Sequence, residues 1–162
     1  MLSKSMQDTL NEQINAEISS AYLYLSMSAY CAANNRPGAA HWMRAQWQEE
    51  LGHAMKLFEY VNDRGGQVLL KAVPQPATEF KGFLDVFQGV LEHEKKVTAM
   101  IHRLYEAAVK ENDYPTQILL QWFITEQVEE EKNATEVIEQ LKLIGDHGAA
   151  IIMLDRHLGE RK

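Results

Sequence analysis

Within the run Gln46-Trp47-Gln48-Glu49-Glu50-Leu51-Gly52-His53, a carboxylate and an imidazole stand three residues apart, as Glu50 and His53. On a helix that spacing stacks both side chains on one face. A carboxylate and a neutral imidazole so placed can grip one transition-metal ion together. Taken alone, Glu-x-x-His is weak support for a metal, because charged neighbours at this spacing are common on solvated helix faces. What matters is whether the rest of the chain supplies partners for the pair.

The elements that must position it are helices. Ser5 with Asp8 reads as a capping-box start. From there Leu10, Ile14, Glu17, Ala21, Tyr24 and Ser28 recur at intervals of four and three. Asn34 to Gly38 ends that helix, and Pro37 suits the first turn of the next. The second helix runs from about Pro37 to Arg64, with Met43, Trp47, Glu50, Ala54, Leu57 and Val61 facing inward and Gly65-Gly66 as its stop. Residues 65–81 carry no helical period and read as a crossover along the outside of a bundle. Val68 to Leu70 would touch the bundle surface or a neighbouring chain. The third helix, about Gly82 to Asn112, places Phe83, Phe87, Val90, Glu94, Val97, Ile101, Leu104 and Ala108 on one stripe. The fourth, about Pro115 to Ile144, does the same with Leu119, Phe123, Gln127, Glu130, Ala134, Val137 and Leu141. A short amphipathic helix, about Asp146 to Leu158, follows and should pack on the bundle or on other subunits. The expected architecture is all-α: one domain over residues 1–162, a four-helix bundle with one long crossover and a short fifth helix.

Each long stripe carries a polar residue where the core should be dry: Glu17, Glu50, Glu94 and Glu130, with His53 and Gln127 alongside. Burying four unpaired carboxylates is untenable unless cations share the site. The spacing repeats. Glu17 to Glu50 is 33 residues and so is Glu94 to Gln127; Glu50-x-x-His53 is answered by Gln127-x-x-Glu130. The offset between the halves is 77 throughout, and it also maps Glu49 onto Glu126. The chain reads as two helical hairpins with one polar pattern. Carboxylates with a single imidazole suit iron or manganese better than thiol-loving metals.

Bulk properties narrow the classes. A net charge of −7 argues against a nucleic-acid binder with a basic surface. The single cysteine, Cys31, excludes an internal disulfide and any Cys-rich zinc or iron–sulfur site, and favours a reducing compartment. Met1 to Asp8 lacks the apolar core of a signal peptide, and no run approaches membrane-spanning length. The expectation is a cytoplasmic protein with neither nucleic acid nor membrane as partner.

Over essentially its whole length the chain resembles the ferritins, specifically the bacterial non-haem ferritins. The resemblance rests on Glu17 with Tyr24, on Glu49-Glu50-Leu51-Gly52-His53, on the crossover, on Glu94, and on Thr125-Glu126-Gln127-Val128-Glu129-Glu130. In the ferritin-like di-iron bundles themselves, one Glu from each of two helices meets a Glu-x-x-His from each of the other two. The first half here matches that pattern, and the second half departs from it at Gln127 and Glu130. The resemblance implies a homo-oligomeric cage of 24 subunits. It would oxidise ferrous iron with dioxygen or peroxide at a di-iron ferroxidase centre and store it as ferric oxyhydroxide. Carried over by position, Glu17, Glu50 and His53 would hold the first iron, and Glu50 would bridge to a second held by Glu94 and Glu130. A third iron site would draw on Glu49, Glu126, Glu129 and Glu130. Tyr24 would stand beside the first iron as a one-electron donor, and Gln127 would hydrogen-bond near a ligand. The haem-containing bacterioferritins match less well, because they carry Glu-x-x-His in the second half and a haem-ligating methionine where Gly52 stands, so no haem is expected.

Several residues read as structure rather than chemistry. His41, His93, His102, His147 and His157 have no carboxylate partner on a shared stripe. Trp47 and Trp122 read as packing, and Glu131 as part of a solvated charge run. Two other functions stay open at this point: a discrete di-iron oxidase or peroxidase without mineral storage, and a purely structural bundle.

Overall fold

The computed structural model describes residues 1–162 as five helices and no strands: α1 (Lys4–Ala33), α2 (Pro37–Asp63), α3 (Phe83–Lys110), α4 (Tyr114–Ile144) and α5 (Gly148–Leu158). α1 and α2 form one hairpin and α3 and α4 the other, with residues 64–82 crossing between them. No helix is long and apolar enough to cross a membrane. The first cap differs from the sequence expectation. Ser3, not Ser5, precedes α1, and its hydroxyl accepts the Met6 amide at 3.0 Å. Asp113 caps α4 in the same way through Thr116.

The crossover lacks helical period but is not structureless. Gln7, Asn11 and Asn15 recur one turn apart along α1 and their side-chain oxygens accept the amides of Gln67, Leu69 and Lys71 at 2.9, 2.9 and 2.8 Å. The Asn11 and Asn15 amide nitrogens donate back to the carbonyls of Gln67 and Leu69. The match is geometric: four helical residues rise about 6 Å, close to two residues of extended chain, roughly 6.6 Å. Val68 packs partly into the core, while Leu69 and Leu70 remain exposed.

Arg36 offers α2 no side-chain cap. Asp155 of α5 supplies one from a distance, accepting the amides of Gly38 and Ala39 at 3.0 and 2.9 Å. The approach is so close that a Cβ on Gly38 would sit 1.6 Å from the Asp155 carbonyl oxygen. Glycine is therefore required there, and α5 is fixed against the start of α2.

The core is divided. One dry cluster gathers Tyr24, Met43, Phe87, Ile138 and Leu154; the other gathers Met6, Leu10, Leu57, Ile101 and Phe123. Between them lies a layer of buried polar side chains: Glu17, Glu50, His53, Glu94, Gln127 and Glu130. Two stripe assignments shift by one residue. Gln46 is fully buried while Trp47 is half-buried, and Leu120 is buried while Leu119 is half-buried. Neighbouring helix positions lie about 100° apart. The inward line thus steps three residues from Met43 to Gln46 and then four to Glu50.

Candidate metal centre

All four long helices deliver side chains to this layer: Glu17 from α1, Glu50 and His53 from α2, Glu94 from α3, and Gln127 and Glu130 from α4. They separate into clusters. Glu17, Glu50 and His53 each place one ligand atom within 4.8 Å of the others, and so do Glu50, Glu94 and Glu130. Glu50 belongs to both. A third group joins His53 and Glu130 to the half-buried Glu126. The His53 ring divides its nitrogens between groups. Nδ1 lies 3.3 Å from Glu50 Oε2 and 4.0 Å from Glu17 Oε2, while Nε2 lies 3.9 Å from Glu126 Oε1.

Donors hold most of these oxygens. Gln13 Nε2 donates to Glu17 Oε1 at 2.7 Å. Gln46 Nε2 donates to Glu50 Oε1 at 2.9 Å and to Glu130 Oε2 at 2.8 Å. Gln127 Nε2 donates to Glu94 Oε2 at 3.0 Å, and also faces the Glu94 carbonyl and Thr98. The Tyr24 hydroxyl donates to Glu94 Oε1. Glu17 Oε2 has no hydrogen-bond partner although it is buried. An unpaired buried carboxylate oxygen beside an imidazole and a second carboxylate is the strongest local sign of a cation site.

The electrostatics agree. Burial, then the Glu50 charge, pushes Glu17 well above the usual carboxylate range. Burial, then Glu94 and Glu130, does the same to Glu50. Glu94 is raised chiefly by burial, and Glu130 is pushed up to about 8 by burial and by Glu94. Like charges at this separation cannot all ionise without a cation among them. Burial and then Glu94 drive the Tyr24 phenol well above its ordinary value of 10.0.

The expected site residues are thus mostly brought together, with three differences. Tyr24 hydrogen-bonds Glu94 in the second cluster rather than a member of the Glu17–Glu50–His53 trio, because α1 packs its hydroxyl against α3. Glu129 is exposed and lies in none of the clusters. Glu49 is also outside them; Arg161 Nη2 holds its Oε2 at 2.5 Å. His93, read as structural, is mostly buried: its Nε2 lies 2.7 Å from Ser20 Oγ, its ring meets Tyr24 edge-on at 5.8 Å, and burial lowers it to about 4.

Sequence reasoning missed Gln13, Gln46, Thr98 and Arg161. A signal for two of them existed. Gln13 and Gln46 each precede a site carboxylate by four residues and are themselves 33 apart, the spacing of Glu17 and Glu50. Thr98 and Arg161 carry no such mark.

Comparison with known proteins points one way. A family model described as a ferritin-like domain matches residues 7–144. The bacterial non-heme ferritin of Campylobacter jejuni is 42% identical over 158 residues, 98% of this chain and 95% of that one. That of Bacteroides fragilis is 41% identical over 161 residues, 99% of this chain and 100% of its own. Among solved structures, an open pore ferritin from the archaeon Archaeoglobus fulgidus superposes with a TM-score of 0.99 at 49% identity, covering 100% of both chains.

Proposed function

The chain belongs to the ferritin family, and from that premise we propose that it stores iron. It takes up ferrous ions at the paired clusters, oxidises them with dioxygen or peroxide, and passes the ferric product to a mineral inside a cage of 24 chains. Iron is here substrate and cargo. The observation that carries the reading is the layer itself: two ligand clusters sharing Glu50, buried between two dry cores, with one carboxylate oxygen left unpaired.

Glu17, Glu50 and His53 hold the first ion; Glu50, Glu94 and Glu130 hold the second. Glu126, with Glu49, Glu129 and Glu130, serves a third, outer position, one that lies nearer the bundle surface than the paired clusters. Anionic oxygen ligands stabilise the trivalent ion more than the divalent one, so they favour oxidation by charge alone. Each ion gives up one electron, and dioxygen takes two electrons and two protons to leave as peroxide. Uptake also releases protons, because carboxyls held above their ordinary range must lose them to bind metal. Near neutral pH Glu130 is one such group. Tyr24, bonded to Glu94, stands where it can supply a further electron, and Gln127 holds the Glu94 carboxylate in place.

The test is aerobic addition of ferrous iron to the metal-free protein, followed optically and by particle mass. Storage predicts oxidation far faster than in buffer, two ions per chain in the first fast phase, and a 24-chain particle with an electron-dense centre. Oxidation no faster than buffer would overturn the reading. A small particle that turns over an organic substrate would replace it with a discrete di-iron oxidase.

A further inference from the structure

Beyond α5 the chain turns back onto α2. The Arg161 carbonyl lies 2.7 Å from His41 Nε2, and its guanidinium carbon stands 4.3 Å from the centre of the Trp42 ring. Its Nη2 donates to Gln46 Oε1 at 2.8 Å and to Glu49 Oε2 at 2.5 Å. Nη1 faces the Trp42 carbonyl at 3.5 Å. One guanidinium therefore touches both the buried amide that binds Glu50 and Glu130 and the carboxylate expected to serve the outer ion.

We propose that Arg161 is a place-holding cation for the outer iron position: it occupies Glu49 in the metal-free protein and must release it before Glu49 becomes a ligand. This rests on the reading of Glu49 as an outer-site ligand. The contacts explain why Glu49, unlike Glu126, stands apart from the ligand clusters. They also show how release happens without undocking the tail. The backbone is tied to His41 independently of the side chain, and Asp155 anchors α5 to the start of α2. After leaving Glu49 the guanidinium still has Trp42 and Gln46, so displacement costs one ion pair rather than the packing of α5. Neither inner cluster has a guanidinium to displace; their carboxylates are held by amides, a phenol and an imidazole. The outer position thus fills last, after both inner positions.

The test uses anaerobic calorimetric titration of the assembled, metal-free protein with zinc, which is redox-inert. The wild type should show two tight steps and a weaker one. Arg161→Ala should tighten the weaker step by about twofold to fivefold, the scale of a partly exposed ion pair, and leave the tight steps unchanged. Arg161→Gln keeps a donor for Gln46 while removing the charge, and should act the same way if Arg161→Ala fails to assemble. In a Glu49→Gln background neither substitution should tighten anything. A weaker step unchanged or weakened by Arg161→Gln, or one tightened equally without Glu49, overturns the proposal. Loss of tight steps with Arg161→Gln assigns the residue to Gln46 instead and overturns it as well. If the wild type shows no tight step sensitive to Glu50→Ala, the metal-centre reading has failed and takes this inference with it.

Discussion

The two hairpins carry the same polar frame and use it differently. In the first, Glu17 and Glu50 each have a glutamine one turn earlier, Gln13 and Gln46, which donates to them. In the second, the matching positions before Glu94 and Gln127 are Val90 and Phe123, which are buried and apolar. Glu94 and Glu130 take their donors from elsewhere: Tyr24 on α1, Gln46 on α2, and Gln127 where the first half has a glutamate. The first hairpin satisfies its carboxylates internally and still leaves Glu17 Oε2 unpaired. The second has both oxygens of Glu94 bonded before any ion arrives. An ion entering the first cluster thus meets a buried unpaired acceptor at Glu17, whereas one entering the second must compete at Glu94 with hydrogen bonds already made. The first cluster should fill first.

The largest test of this contrast removes the residue both halves share. Glu50→Ala should abolish paired binding and slow iron oxidation by about a hundredfold or more, beyond the range for losing an outer-shell partner. Retention of fast oxidation would mean that the clusters do not work as a pair. His53→Ala separates the halves. It removes a direct ligand, so it should weaken the first zinc step by at least the roughly hundredfold upper end seen for outer-shell partners, while the Glu50–Glu94–Glu130 step persists. A variant whose first step is unchanged would show that the imidazole does not set the order of filling.

Much of this arrangement was legible as pattern. The four stripes, the 33-residue spacing and the 77-residue offset placed Glu17, Glu50, His53, Glu94 and Glu130 on inward faces, because a helix converts sequence interval into angle. What the intervals could not supply is reach. Tyr24 was legible as a core position, but its bond to Glu94 depends on how α1 packs against α3. Arg161 was invisible because its contact with Glu49 spans 112 residues and depends on Asp155 docking α5. The Trp47 assignment failed for a smaller reason: a three-step and a four-step from Met43 are both helical, and the inward line takes the three-step to Gln46. The crossover itself was legible, but its anchoring was not, because its partner is an amide ladder on α1, whose period is polar.

A pH series sharpens the contrast at the level of stability. Glu130 has a folded-state value of about 8 against an ordinary 4.5. The folded protein binds this proton more tightly than the unfolded chain does. Its contribution to stability is therefore fully present below about 4.5 and lost as pH rises towards about 8. The metal-free protein should lose stability across that window, by at most about 1.4 kcal/mol per pH unit for each such group. Glu130→Gln should flatten the profile, and zinc should flatten it in the wild type. A profile that Glu130→Gln leaves unchanged would place the proton elsewhere.

The smallest expected effect makes the first half resemble the second. Gln13→Leu removes the donor to Glu17 and puts an aliphatic side chain where the other hairpin has Val90. In the metal-free protein both Glu17 oxygens would then lack a donor, which should cost about 1–3 kcal/mol as a lower denaturation midpoint. With zinc bound, the ion itself satisfies the carboxylate, so most of the loss should be recovered. The stabilisation zinc confers should thus be larger in Gln13→Leu than in the wild type. Val90→Gln, made separately, should give the second half little, because Glu94 already has Tyr24 and Gln127 on its two oxygens. Equal losses with and without zinc in Gln13→Leu would mean that Gln13 serves packing alone. The hairpins would then differ in ligand identity and not in how each holds its carboxylates before the metal arrives.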